Sequence, residues 1–113
     1  MTKISQIKGF KVLNSRGDWT IKTYLELDDG SKGWAMVPEG ASKGEQEALC
    51  MEVNKSLETI RDVVTPALVG KEFKAQKDFD EFLINLDGTK NKSKLGGNTI
   101  ISLSIAFARA VAQ

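Results

Sequence analysis

This sequence predicts an α+β fold, a three-stranded antiparallel meander followed by helices, on three observations. Trp19, Ile21, Thr23, Leu25 and Leu27 alternate with Thr20, Lys22, Tyr24 and Glu26, the period of a strand with one covered face. Asp29-Gly30 sits between that run and a second short one, a hairpin signal. Farther on, Leu49, Val53, Leu57, Ile60 and Val64 fall at helical spacing and make one apolar stripe.

The first strand is expected over residues 4–14, with Ile7, Phe10 and Val12 as its apolar positions. Ser15-Arg16-Gly17-Asp18 is a turn composition. Residues 19–27 form the second strand, and a tight type I′ turn centred on Asp29-Gly30 leads into the third, residues 32–37. The first helix is expected over 45–64, ended by Pro66, because proline disfavours helical backbone at Thr65. The second is expected over 78–86, capped by Asp78, with Phe79, Phe82, Leu83 and Leu86 on one side. The third runs over 99–112 behind an Asn98 cap. There Ser102, Ala106, Arg109 and Gln113 make a narrow small-or-polar stripe, and nearly everything else is apolar. Such a helix is covered on most sides. It is either the central helix of this domain's own core or a surface that docks onto something else.

Composition narrows the function classes. The 113 residues suit one domain with a modest core, and 41% apolar with 27% charged residues is a soluble globular balance. A formal charge of +1 gives no field toward nucleic acid or an anionic membrane. Lys90, Lys92 and Lys94 are locally basic but have no aromatic neighbours on which bases would stack, so no nucleic-acid partner is expected. The longest apolar region, 100–112, is interrupted by Ser102, Ser104 and Arg109 and is too short to span a bilayer. Residues 1–10 carry no secretory signature. Cys50 is the only cysteine, which suits a reducing compartment and favours packing over a nucleophile or zinc ligand. The chain has no histidine, which removes Ser-His-Asp and Cys-His catalysis and histidine metal sites.

One stretch carries a possible site. In PEGASKGE, residues 38–45, Gly40 and Gly44 flank Ala41, Ser42 and Lys43 ahead of a helical pattern. Glycine-rich turns of this kind offer backbone N–H groups to phosphate. It is neither a Walker loop nor a dinucleotide fingerprint. Ser42 and Glu45 also make a capping box, which satisfies the same residues without any ligand. Physics leaves both readings open.

Three stretches, in order along the chain, together resemble the N-terminal domain of the enolase family. LNSRGDWTIKTYLEL is similar to D-S-R-G-N-P-T-x-E-x. MVPEGASKGEQEAL is similar to V-P-S-G-A-S-T-G-x-x-E-A-L. LDGTKNKSKLGGNTIISLSIAFARAVA is similar to L-D-G-T-x-N-K-S-K-L-G-A-N-A-I-L-x-x-S-x-A-x-A-x-A. The resemblance covers most of the chain, and the last stretch is long and specific. Asn14, Asp18 and Trp19 stand where the pattern has Asp, Asn and Pro. Glu39 replaces its first loop serine, Lys43 a threonine and Gly97 an alanine, and the L-R-D-G segment after the loop has no counterpart.

The resemblance implies an enolase N-terminal-like domain over residues 1–113, without the family's catalytic C-terminal barrel. In the full enzyme, loop 38–45 closes over Mg²⁺-bound substrate while 2-phosphoglycerate and phosphoenolpyruvate are interconverted. Ser42 then aligns with a serine ligand of the second Mg²⁺, with Gly40 and Ala41 beside the substrate. Arg16 either orients the loop or is a plain turn residue, and Glu47 sits on a helix face. No catalytic residue is expected in this chain, because the metal-binding carboxylates, the lysine base and the assisting glutamate belong to the barrel. The chain alone is expected to be inactive and to hold Mg²⁺ negligibly. The full-length enzyme is implied to be a cytoplasmic homodimer. The alternative is a stand-alone, non-catalytic, enolase-derived binding module, and the reading frame beyond Gln113 separates the two.

Overall fold

The computed structural model describes residues 3–36, 52–89 and 94–112. Strands β1 (Ile4–Leu13), β2 (Trp19–Leu27) and β3 (Lys32–Met36) form an antiparallel sheet in the order β1-β2-β3. Four α-helices follow: α1 (Val53–Thr59), α2 (Thr65–Leu68), α3 (Gln76–Asp87) and α4 (Gly97–Val111). The α+β meander-then-helices architecture is therefore present.

The covered face of the sheet is the one the alternation indicated. Ile21, Thr23, Leu25 and Leu27 are buried, while Trp19, at the start of that row, is exposed. Both hairpins use the same device, and it is not the type I′ turn expected at Asp29-Gly30. Gly30 N–H donates to Leu27 O (3.0 Å), and Leu27 N–H donates to Ser31 O (2.8 Å), so the loop has three residues. At the first hairpin, Gly17 N–H donates to Asn14 O (3.0 Å) and Asn14 N–H to Asp18 O (2.8 Å). The third loop residue lies at φ 83° in Gly17 and 92° in Gly30, where a Cβ is strained. The Asn14 carboxamide oxygen also accepts from the Arg16 and Asp18 amides at 2.9 and 3.0 Å. That is acceptor chemistry, which asparagine and aspartate share.

The first helix departs from its expected course at both ends. Glu52 is extended (φ −62°, ψ 146°) and caps α1, so one unbroken helix from 45 to 64 does not form. Residues 45–51 lie outside the described segments. Nor does Pro66 end the helix. Residues Ile60–Val64 open into a π-helical turn, and Thr65, still helical at φ −58° and ψ −49°, donates to Ile60 O. The wider turn precedes the proline, whose missing N–H and ring would otherwise break the ladder, and α2 continues to Leu68. Leu49 lies outside the described residues, and the rest of the expected stripe holds, with Val53 and Leu57 packed on the core and Ile60 and Val64 fully covered.

This irregular turn leaves Thr65 Oγ1 buried without a hydrogen-bond partner. An unpaired buried hydroxyl costs about 1 kcal/mol or more relative to an apolar isostere. Thr65→Val is therefore expected to raise thermal stability by a few degrees, about 1 kcal/mol, measured by calorimetry.

α3 begins two residues earlier than the spacing indicates. Its N-cap is Ala75, with no side-chain cap, and Asp78 lies in the first turn, where its charge meets the positive helix end. α4 is capped by Gly96 (φ 91°, ψ 134°), and Asn98 lies inside the helix, buried. Its small stripe is a packing surface. Ser102 and Ala106 are fully buried, and Thr23 Oγ1 donates to Ser102 O (3.1 Å). α4 is thus the domain's own core helix, lying on β2 and β3, with Ile101 and Val111 exposed on its far side. Phe79 and Phe107 stack at 4.2 Å, and Phe73 meets both edge-on, joining α3 to α4. Both sheet edges are partly occupied. Gly70 and Lys71 pair with Ile4 beside β1, and the Arg109 guanidinium donates to Trp34 O on β3 at 2.8 Å.

Candidate functional site

The expected loop, 38–45, with Gly40, Ala41 and Ser42, lies outside the described residues, as do Glu39, Lys43, Glu47 and Cys50. What the structure describes is the frame on either side. On one side the chain leaves β3 at Met36, a strand packed on α4 and tied to it through Arg109. On the other it is received at Glu52, whose carboxylate accepts from the Asn54 and Lys55 amides at 3.0 and 3.2 Å. α1 is in turn joined to α4 by a buried 2.5 Å contact between the Ser56 and Thr99 hydroxyls. Residues 37–51, between these two points, lie outside the described segments.

Glu52 titrates below the ordinary carboxylate value. The Asn54 amide bond is the largest cause, helped by the Lys55 amide and the charge of Lys11. A carboxyl held low contributes stability above its unfolded pKa and loses it as pH falls through the lowered, folded value. Glu52→Gln removes that component. Its melting temperature is therefore expected to fall less than the parent's between neutral pH and about pH 3, followed by circular dichroism.

Beyond the frame, the structure brings together a group that the sequence did not single out. Asp87 ends α3, and its carboxylate is buried. It accepts from Thr89 N (2.9 Å), from the Thr89 hydroxyl and from Leu95 N (2.7 Å). One carboxylate thereby holds both described ends of the connection between α3 and α4. Its only sequence signal was the D-G-T string itself, whose aspartate reads as a turn residue until the fold buries it. Arg16 lies on the exposed first hairpin.

The described residues contain no group of three or more His, Cys, Asp or Glu side chains able to hold a metal. Two open clefts are lined by described residues. One of about 330 Å³ lies between β1 and the π-helical turn, lined by Ile7, Lys8, Gly9, Leu57, Ile60 and Arg61 among others. The other, about 310 Å³, lies between Phe73, Phe107 and Val111. Arg61 is already engaged bidentately by Asp62 at 2.8 and 3.0 Å. No helix among the described residues is long and apolar enough to cross a membrane.

Comparison with known proteins gives a single answer. The family model for "Enolase, N-terminal domain" matches residues 4–113. Enolase of Aeropyrum pernix is 44% identical over 119 residues, covering 96% of this chain and 28% of that protein. Enolase 1 of Chlorobaculum tepidum is 43% identical, covering 98% of this chain and 29% of that protein. Enolase of Methanopyrus kandleri is 41% identical over 123 residues, covering 100% and 29%. That last match is longer than this 113-residue chain, so at least ten of its positions have no counterpart here. The chain spans less than a third of these relatives' length. With the three-stranded meander, the helices behind it and a family match from the first strand to the last residue, this chain belongs to the enolase family, in its N-terminal domain.

Proposed function

We propose that this chain is the N-terminal lid domain of an enolase that interconverts 2-phosphoglycerate and phosphoenolpyruvate. Its loop 38–45 closes over the bound substrate, with Gly40 and Ala41 beside it and Ser42 as a metal ligand. The observation that carries this reading is the family match across residues 4–113, which includes the loop. The frame supports it, because the nearest described residues on either side, Met36 at the end of β3 and the capping Glu52, belong to packed elements.

Magnesium, the metal the family implies, takes about six oxygen ligands in a near-octahedral shell. Ser42 offers a hydroxyl and a carbonyl, both neutral, and the described residues add no acidic cluster. This chain does not by itself make the set, so no step is routed through the metal. The work assigned to the chain is to position substrate and to exclude water from a proton abstraction beside a carboxylate. Carboxylate ligands and the base are assigned to a C-terminal barrel domain, its partner in a cytoplasmic homodimer.

Alone, the chain is expected to dehydrate no 2-phosphoglycerate and to show no stoichiometric Mg²⁺ binding at micromolar concentration by calorimetry. Added to a purified enolase barrel domain, it is expected to restore dehydration, and Ser42→Ala is expected to reduce that restored rate by about tenfold or more. No rescue at high concentration, with both parts folded, overturns the lid reading. It favours the second reading, a stand-alone binding module, to which Glu39 and the positions without counterpart lend weight.

A further inference from the structure

Three features meet between β1 and the π-helical turn. The first is the cleft of about 330 Å³, a volume near the lower end of the range for small-molecule sites. Gly9 lets the helix side chains close on the strand there. A Cβ at this position would stand 2.9 Å from Leu57 Cδ2 and 3.0 Å from Ile60 Cδ1, so an added side chain displaces two that line the cleft. The second is the π-helical turn itself, Ile60–Val64, an irregularity that is frequent at functional sites. The third is Thr65, which lines the cleft and whose hydroxyl oxygen is buried without a partner. In an α-helix such a hydroxyl bonds the carbonyl three or four residues back. Here those residues belong to the π-helical turn, and Thr65 makes no such bond.

We propose that this cleft binds a small amphiphilic carboxylate, with its apolar body against Ile7, Leu57 and Ile60 and its carboxylate accepting from the Thr65 hydroxyl and pairing with Lys8. Threonine in a helix has two accessible χ1 rotamers, so a turn about χ1 presents the hydroxyl to the cleft that the residue lines. Charge sets the sign of the ligand. No lining residue is acidic, and Lys8 and Arg61 are basic. Asp62 already holds Arg61, whereas Lys8 has no ion pair among the described residues. Size and lining decide against water as the sole occupant. One water takes about 30 Å³ and wants two to four polar partners, and most of these walls are apolar. The inference rests on neither loop 38–45 nor magnesium, and its failure leaves the lid reading untouched.

The test uses the 113-residue chain, with phenylbutyrate as the probe and phenylbutylamine as its cationic counterpart. Binding is followed by amide chemical shifts in NMR. Phenylbutyrate is expected to bind saturably with a Kd of about 1 mM or below, the range for a ligand of this size, shifting signals of residues 7–10 and 57–65. Phenylbutylamine is expected to bind about tenfold more weakly or not at all. Thr65→Val is expected to melt higher than the parent yet bind phenylbutyrate about threefold or more weaker, a pairing that a purely structural hydroxyl would not give. Lys8→Gln and Gly9→Ala are each expected to weaken binding, and Lys77→Gln, on α3, to leave it unchanged. Melting curves confirm that each variant folds, and Thr65→Val and Lys8→Gln decide the matter if Gly9→Ala does not. Unchanged affinity in Thr65→Val, or equal binding of the amine, overturns the proposal. So do shifts confined to the cleft at Phe73 and Phe107, or no saturable binding up to about 10 mM.

Discussion

Gly33→Ala is expected to destabilise the domain by about 3 kcal/mol or more. A Cβ at this position meets Ala106 O at 2.0 Å and Ala110 N at 2.6 Å. Both are backbone atoms of α4, so no side chain can rotate away, and the helix must lift from β3. Lifting it opens the surface where Ala35, Ser102, Ala106 and Ala110 lie buried. A domain of this size has a net stability of order 10 kcal/mol, so the loss is a large fraction of the whole. Urea unfolding reads it as a lower midpoint. Ala106→Gly is expected not to rescue the variant, because the contact is with the main chain. A Gly33→Ala protein as stable as the parent refutes the close approach. Lys32→Ala, at an exposed neighbouring position, is expected to stay within about 0.5 kcal/mol.

Asp87→Asn is expected to cost about 2–4 kcal/mol, although it changes one atom and hardly any volume. The carboxylate uses Oδ1 for the Thr89 amide and Oδ2 for the Leu95 amide. A carboxamide keeps one acceptor and turns the other into a donor, which then faces an N–H in a buried site. Asp87→Ala leaves the same donors unsatisfied and is expected to cost as much or more. The distinguishing readout is local. Hydrogen exchange at the Thr89 and Leu95 amides is expected to lose protection in Asp87→Asn beyond what the global stability change explains. Retained protection there means that the carboxylate does not hold this connection.

Much of this domain was legible before any fold was seen. The strand over 19–27 followed from strict alternation, because pleating sends successive side chains to opposite faces whatever lies beyond them. The stripe through Val53, Leu57, Ile60 and Val64 was equally local. The errors share a cause. Asp78 and Asn98 were read as caps from their chemistry, but Ala75 and Gly96 hold those places, since packing of Phe79 and Thr99 sets where each helix starts. Pro66 was read as a stop, because proline rules do not anticipate that a π-helical turn upstream can absorb it. Asp29-Gly30 was read as a two-residue turn, and the added loop residue shifts the pairing by one, setting Glu26 opposite Lys32, with a single glycine at positive φ.

The sequence by itself determined the fold class, the covered face of the sheet and, through three ordered stretches of residues, the family to which the chain is similar. These rest on periodicities and strings that near neighbours in the chain define. Only the tertiary structure decided that the small stripe of α4 is where the helix presses on Gly33, and that Asp87 is a buried clamp. It also decided that Gly9, Ile60 and Thr65 line one cleft. Each of these joins residues far apart in the chain, and distance, burial and hydrogen-bond satisfaction between such residues exist only once the backbone has brought them together.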